Sequence, residues 1–344
     1  MQVVRIHAHG GPEVLKLEQL PEPKAGQGEV LVRMLAVSVN HLDLFVRAGM
    51  PGVKLPLPLI PGCDGTGEIV GLGAGVSGFS VGARVVIEPG LSSGTSAHDQ
   101  AGNDHLSDDY QIRGEHCDGL DRELVALPAR MLLPLPEKVD PVVGAAAALV
   151  YLTAWGMLVT RAKLVRGESV LVIGGTSGVG MASIQIAKDL GARVFTTAST
   201  QAKRKLALEL GAEAALDPAK DGWDRELKSL NGGRGVEVVV EHVGPATWDA
   251  SMRSLARNGR LVTCGGTTGA KVQLTLPHLF MKNLSVLGST MGPRTALPLI
   301  YAKIAAGAYR PAVDRVLPLS EIQSAHELLD SRQVAGKIVL IPGR

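Results

Sequence analysis

Disulfide frameworks, base-stacking platforms and membrane spans are all things this sequence is poorly equipped to build. Only three cysteines, Cys63, Cys117 and Cys264, occur in 344 residues. They are too few and too scattered to staple a fold, which points to a reducing compartment and makes the cytoplasm the expected location. Aromatic residues make up 3% of the chain, so rows of stacking side chains for single-stranded nucleic acid are not available. Thirty-five basic against thirty-three acidic side chains leave a formal charge of +2, too little to draw in nucleic acid or an anionic membrane. The opening MQVVRIHAHG lacks the charged-then-apolar layout of a signal peptide, and no apolar run approaches spanning length. What remains is 45% hydrophobic and 20% charged residues, enough core for two domains and a small-molecule partner.

Glycine, by contrast, is abundant at 42 residues, and the densest functional signal is a glycine turn. In the stretch 168–205 a short apolar run, Ser169 to Ile173, leads into Gly175, Gly178 and Gly180. A helix follows whose Val179, Ala182, Ile186 and Leu190 recur at helical spacing, and then a second strand. In such a βαβ unit the glycines permit a sharp turn, close approach of a pyrophosphate and close helix–strand packing, while the helix N-terminus favours an anion. The middle glycine is replaced by Ser177, so a tight turn without a ligand is the competing reading. The strand, helix and second strand around it favour dinucleotide binding.

No acidic residue ends the second strand. Ser199, Thr200 and Gln201 stand there, followed by Lys203, Arg204 and Lys205. An NAD site places a carboxylate at this point for the ribose 2′-hydroxyl, whereas basic residues suit a 2′-phosphate. NADPH is therefore the expected cofactor, against the reading of the basic run as a solvated helix start.

Along the chain, residues 1–128 read as short strands punctuated by glycine, with Val30, Val32, Met34 and Ala36 alternating with Leu31, Arg33, Leu35 and Val37. A polar excursion, 88–118, is too long for an ordinary turn and reads as an inserted lobe. An alanine-rich helix, Val142 to Leu149, and a second through Ala154 to Val159 lead toward the glycine turn. Strands are predicted near Ser169, Arg193, Ala214, Val236, Arg260 and Leu284, with helices between most of them. The expected class is α/β, a doubly wound parallel sheet plus a mostly β domain. The tail adds a helix over Pro298–Ala306, then strand, helix (Ser320 to Ser331, with Ser320 as N-cap) and strand, and is expected to return to the N-terminal domain.

Four segments carry a family resemblance across nearly the whole chain: SVNHLDLFVRAG (Ser38 to Gly49), IPGCDGTGEIVGLGAGVSGFSVGARV (Ile60 to Val85), LTAWGML (Leu152 to Leu158) with the glycine turn, and LGSTM followed by GKIVL. The chain resembles the medium-chain dehydrogenase/reductases, and its VN–D–R pattern is closest to their zinc-free quinone and enone reductase branch. The resemblance implies a GroES-like catalytic domain over 1–150 and 291–344 (lobe 88–118), a Rossmann domain over 151–290, and a substrate cleft between them. Zinc-dependent members carry Cys, His and acid where Asn40, Cys63 and Asp64 stand, and Cys or acid near Val150. Their lobe cysteines fall on Ser93, Ser96, Asp99 and Ser107. Catalytic zinc needs about three protein ligands and structural zinc four, so no metal is expected in either place. Cys63 is expected to be a small buried residue, and the polar lobe side chains His98, Asp99, His105, Glu115 and His116 a solvated loop.

The resemblance further implies hydride transfer from NADPH to a quinone or conjugated enal or enone. Asn40 is placed at the nicotinamide end, its amide a candidate donor to the acceptor oxygen or else a turn residue. Asp43 is a candidate cleft residue and is expected to pair with Arg47 four positions on. Phe45 stands where many quinone reductases have Tyr, which leaves Tyr151, His41 or water as proton source, with a core role open for Tyr151. Carried-over cofactor contacts are Thr153, the backbone around Gly175, Thr176, Ser177, Gly178 and Val179, then Val243 and Gly244, Gly265 and Gly266, and Ser289. An exposed edge over Leu284 to Met291 suggests sheet extension in a homodimer or homotetramer. The competing functions are an alcohol dehydrogenase or aldehyde reductase with an atypical metal site around Cys63 and Asp64, and a low-turnover NADPH-binding protein.

Overall fold

The computed structural model describes residues 1–50 and 52–343. The chain divides into two compact units, Met1–Leu149 with Pro293–Gly307 and Pro311–Arg344, and Val150–Gly292 with Ala308–Arg310. Residues 308–310, expected with the first unit, therefore group with the second. There Gln185 holds them, its Oε1 accepting the Arg310 N–H at 2.5 Å and its Nε2 donating to the Arg310 carbonyl at 3.3 Å.

The first unit is built on the strand Glu29–Val39. It pairs antiparallel with Asp64–Leu72, with Leu124–Pro128 beside its first half and with Lys337–Ile341 beside its end. Burial alternates along it through Ala36 and then becomes continuous from Val37 to Val39. An alternating strand has one wet face; the fully buried end has none, and it delivers Asn40 into the interior. The sheet continues through Arg84–Ile87 to Leu132–Pro134 on one side and Val313–Pro318 on the other. Val4, Val32, Ile69, Val85, Leu120 and Leu340 are among the side chains of its core. The tail helix begins later than expected, at Ile322, because Leu319–Glu321 forms a 3-10 turn; Glu321 rather than Ser320 is the cap, and its side chain makes no capping bond.

The lobe is a two-stranded ladder, Gly90–Leu91 with Gln111–Ile112, enclosing a helical turn, Ala97–Gln100, and a 3-10 turn, Asp104–Leu106. Downstream, the first expected helix, Val142–Leu149, ends early as Pro141–Ala145, and the second begins at Ala148 rather than Ala154, running to Trp155 and then into wider turns over Gly156–Arg161. Gly156 permits this: a Cβ there would sit 1.9 Å from the Met291 carbonyl oxygen.

The second unit is a six-stranded parallel sheet in the order Ala214–Leu216, Arg193–Thr197, Ser169–Val172, Val236–Glu241, Leu255–Thr263, Ser285–Gly288. Chain order reverses between Ser169–Val172 and Val236–Glu241, which makes the carboxyl ends of these two strands the ligand-binding end of a doubly wound sheet. Ser169–Val172 is buried throughout, as expected for a strand covered on both faces. No helix among the described residues is long and apolar enough to cross a membrane.

Candidate functional site

The glycine turn joins strand Ser169–Val172 to helix Gly178–Asp189. Gly174 adopts φ +65°, and its N–H donates to Thr197 Oγ1 while the Gly175 N–H donates to the Thr197 carbonyl. A Cβ at 175 would lie 2.1 Å from Thr196 Oγ1, and one at 180 would lie 2.2 Å from the Gly174 carbonyl oxygen. Two of the glycines are thus demanded by packing between turn, helix and neighbouring strand. Ser177, the residue that breaks the glycine pattern, is the N-cap: its Oγ accepts the Gly180 N–H at 3.0 Å. The first-turn N–H groups of Gly178 and Val179, beside Thr176, have no intrahelical acceptor, and such free donors at a helix N-terminus favour an anion.

Behind the turn stand two residues that the sequence reading passed over. His242, at the end of strand Val236–Glu241, places Nε2 3.4 Å from Ser177 Oγ, and burial depresses its pKa so that the ring stays neutral. Glu241, fully buried, accepts the Val243 and Gly244 N–H groups at 2.6 and 3.0 Å on one oxygen and the Thr247 and Ser251 hydroxyls at 2.9 and 2.6 Å on the other. It fixes the Val243–Gly244 turn from inside. Thr268 braces the same turn, its N–H and Oγ1 both donating to the Val243 carbonyl, which brings the loop after Gly265 and Gly266 alongside. Ser289 extends the last strand through an N–H bond to Thr263, and Thr153 is buried with its hydroxyl 3.8 Å from Met291 Sδ. The signal for Glu241 was an acid ending the apolar run VEVVVE.

At the second strand's end, Thr200 caps helix Gln201–Glu209, its Oγ1 accepting the Lys203 N–H at 3.2 Å, and Ser199 is exposed just before it. The basic run divides. Arg204 bonds the Ala198 and Ser199 carbonyls and pairs with Asp217 at 3.1 Å, while Lys205 pairs with Glu209 along the exposed helix face. Arg204 therefore shapes the loop rather than serving as a general anion site.

In the first unit the residues expected at the reacting end form a closed network. Asn40 is 5% exposed. Its two amide hydrogens face the Ser38 carbonyl at 3.2 Å, Asp64 Oδ2 at 3.0 Å and Cys63 Sγ at 3.4 Å, and its carbonyl accepts from the Lys337 ammonium. No hydrogen is left for an acceptor oxygen, so the expected donor role of Asn40 is corrected to a structural one. Asp43 does not pair with Arg47. Its carboxylate accepts the Asn40 backbone N–H at 2.7 Å at the start of helix His41–Ala48, and burial pushes its pKa up to about 7. Arg47 instead lies 3.4 Å from His326 Nδ1, and burial, with Arg47 adding, lowers the His326 pKa to about 3. That ring is neutral and accepts.

Tyr151, offered as a proton donor, is likewise corrected. It is 1% exposed, accepts from Gln185 Nε2 at 3.0 Å, stacks on Tyr309 at 5.4 Å, and burial raises its pKa. It is a core tyrosine with a partnered hydroxyl.

Cys63 is fully buried, and burial beside Asp43 and Asp64 raises its thiol pKa well above the ordinary value. A neutral thiol, an amide already committed, and an ammonium 3.6 Å from Asp64 do not fit a catalytic zinc ion, which needs deprotonated ligands converging on an open position. In the lobe, Ser96 Oγ lies 2.5 Å from Ser107 Oγ and accepts the Asp99 N–H at 3.1 Å, while the Asp99 carboxylate accepts from Ser92 Oγ at 2.5 Å and the Ser96 N–H at 3.0 Å. Ser93 turns away to Thr95 and Asp109. Ser96, Asp99 and Ser107 thus meet through hydrogen bonds, and two hydroxyls with one carboxylate do not fit a structural zinc ion, which takes four Cys or His ligands.

Comparison with known proteins agrees with this architecture. Residues 26–137 match the family model "Alcohol dehydrogenase GroES-like domain" and residues 178–306 match "Zinc-binding dehydrogenase". The chain is 30% identical to a quinone oxidoreductase of Pseudomonas aeruginosa, with 98% of this chain and 99% of the relative covered. It is 28% identical to the acryloyl-coenzyme A reductase of Metallosphaera sedula, with 98% of each covered. A crystal structure described as an NAD-dependent alcohol dehydrogenase is 42% identical over the full length of both chains, with a TM-score of 0.96. With two matched domains in this order, the reversed parallel sheet and full-length relatives, the chain belongs to the medium-chain dehydrogenase/reductase superfamily and is an oxidoreductase that uses a nicotinamide cofactor.

Proposed function

We propose that the protein is an NADPH-dependent reductase that delivers a hydride to a quinone or an α,β-unsaturated carbonyl without a catalytic zinc ion. The observation that carries this reading is the donor set of Asn40, Cys63, Asp64 and Lys337, in which every candidate ligand atom is protonated or already bonded. An acceptor reduced there must be electrophilic without a Lewis acid, which quinones and conjugated carbonyls are. Bound NADPH supplies the hydride. Gly175, Thr176, Ser177, Gly178 and Val179 would hold its pyrophosphate, and Ser199, Thr200 and Lys203 would hold its 2′-phosphate. Thr153, Val243, Gly244, Gly265, Gly266 and Ser289 would line the nicotinamide end. With Asn40 and Tyr151 engaged internally, water protonates the product. The names of the quinone oxidoreductase and acryloyl-coenzyme A reductase relatives support this substrate class. The protein acts in the cytoplasm as a homodimer or homotetramer, with no nucleic-acid or membrane partner.

A second reading, an NAD-dependent alcohol dehydrogenase, is favoured by the 42% identical structure of that description. Steady-state oxidation of NADPH and NADH against menadione, 2-cyclohexenone and a saturated aldehyde, together with metal analysis, separates the two. We expect turnover with menadione or cyclohexenone, a preference for NADPH, and metal-free protein. Lys203→Ala should raise the NADPH KM about tenfold and leave the NADH KM nearly unchanged. Saturated-aldehyde reduction that needs stoichiometric zinc would overturn the proposal.

A further inference from the structure

The glycine turn departs from its pattern at Ser177, and the fold sets a histidine against that departure. Glycine at this position lets backbone approach a pyrophosphate; here a partly exposed serine stands in its place. The Ser177 Oγ accepts the Gly180 N–H at 3.0 Å and lies 3.4 Å from His242 Nε2. The imidazole packs directly on the turn, since a Cβ at 174 would lie 3.3 Å from His242 Cε1. A hydroxyl has one hydrogen and two lone pairs. With Gly180 on one lone pair, the hydrogen can go to the imidazole or to an anion at the free N–H groups of Gly178 and Val179. It cannot serve both.

The surroundings of His242 decide its charge. The residue is 9% exposed, and burial holds its pKa below the ordinary 6.5 against the opposing pull of the Glu241 carboxylate and the Ile173 carbonyl. The ring is therefore neutral near neutral pH, and its Nε2 can accept the Ser177 hydrogen. Few other charges bear on it. Glu241 is already engaged by four donors. On the loop whose Thr267 N–H bonds the His242 carbonyl, Cys264 is the titratable group, and burial pushes its thiol up to about 12. The turn itself, 173–180, carries no ionisable side chain. A phosphate anion at the turn is thus a new and opposite influence on the ring, and it favours imidazolium.

We propose that Ser177 and His242 couple dinucleotide binding to the uptake of a proton. With a pyrophosphate at the turn, the Ser177 hydroxyl gives its hydrogen bond to a phosphate oxygen, and His242 takes a proton from solvent onto Nε2 and donates it to the Ser177 oxygen. His242 is a positioning residue: it holds the serine hydrogen toward the cofactor and its new charge offsets that of the phosphates. The inference rests on the reading that this turn binds the cofactor pyrophosphate. It goes further in assigning a task to the serine that breaks the glycine pattern. The complex then holds more protons than the free protein, so affinity is highest at low pH and falls as pH rises through the pKa of His242 in the complex.

Isothermal titration calorimetry of NADPH binding, run in two buffers of different ionisation enthalpy, counts the protons taken up by the wild-type, His242→Gln and Ser177→Gly proteins. The NADPH 2′-phosphate, which itself titrates at about pH 6, contributes alike to all three, so their difference isolates the pair. Wild-type protein should take up about 0.5–1 proton per NADPH more than either variant. Between about pH 6 and pH 8 its Kd should rise roughly tenfold more than theirs. Glutamine keeps a donor at position 242 without titrating, and glycine is tolerated at an N-cap, so Ser177→Gly carries the comparison if His242→Gln does not fold. NADPH binding to the wild-type protein with no excess uptake, or full uptake retained in Ser177→Gly, would overturn the proposal. Failure of NADPH and NADH to bind at all would instead overturn the dinucleotide reading on which it rests.

Discussion

Replacing Glu241 removes one acceptor group from four donors at once. The two hydroxyls can turn; Thr247 Oγ1 already lies 3.4 Å from the Gly244 carbonyl oxygen. The Val243 and Gly244 N–H groups are fixed by the backbone, and each left unpaired in a buried site costs about 1–3 kcal/mol. With the void left by the side chain, Glu241→Ala should cost about 3–5 kcal/mol, a large part of the roughly 5–15 kcal/mol that a folded protein has in total. Glu241→Gln keeps one oxygen for the two N–H groups, and the Thr247 and Ser251 hydroxyls can rotate to accept from its amide, so its cost should be about 1 kcal/mol. Trp155, Trp223 and Trp248 all lie in the second unit, so tryptophan fluorescence during urea unfolding reports on the unit that holds Glu241. An alanine variant that loses less than about 1 kcal/mol, or a glutamine variant that costs as much as alanine, would contradict this role of Glu241.

Tyr151→Phe should keep wild-type kcat with both menadione and cyclohexenone and lose about 1 kcal/mol of stability, since only the Gln185 bond is removed; a large fall in kcat would restore Tyr151 as proton donor. Burial outweighs Arg294 at Glu88 and raises its pKa from the ordinary 4.5 to about 7. Between those values the folded state holds more protons than the unfolded one, so stability should fall as pH rises through that window. Urea unfolding at several pH values should show Glu88→Gln flattening that slope, although Asp43, raised the same way, keeps part of it; a slope unchanged by the substitution would refute the assignment. The strand Ser285–Gly288 ends its sheet beside exposed Leu276, Phe280, Met281 and Val286. Phe280→Lys with Val286→Lys should shift the sedimentation coefficient from dimer or tetramer toward monomer; an unchanged coefficient would place the subunit contact elsewhere.

Local pattern carried much of this protein. The first strand of the second unit, Ser169–Val172, is buried throughout because both its faces are covered, and Gly175 and Gly180 stand out in the turn because a Cβ has no room at either position. That Asn40, Ser93, Ser96 and Ser107 supply no thiolate was equally legible, since an amide or hydroxyl cannot become one in any fold. Other expectations failed for reasons of burial. Asp43 and Arg47 have ideal helical spacing for an ion pair, but spacing does not report that Asp43 turns back to cap its own helix. Tyr151 sits beside Thr153 in sequence, yet its hydroxyl points into the core toward Gln185.

The sequence alone determined the doubly wound sheet, the glycine-rich turn before its first helix and the absence of an acid after the second strand, because each depends on residue type at short, fixed spacing. Only the tertiary structure decided which polar side chains are already spent. Lys337 meets Asn40 across 297 residues of chain and His242 meets Ser177 across 65, partners that the fold alone brings near. Hydrogen-bond capacity is finite and is allotted in three dimensions, so a residue's chemistry can be read from its letter while its availability cannot.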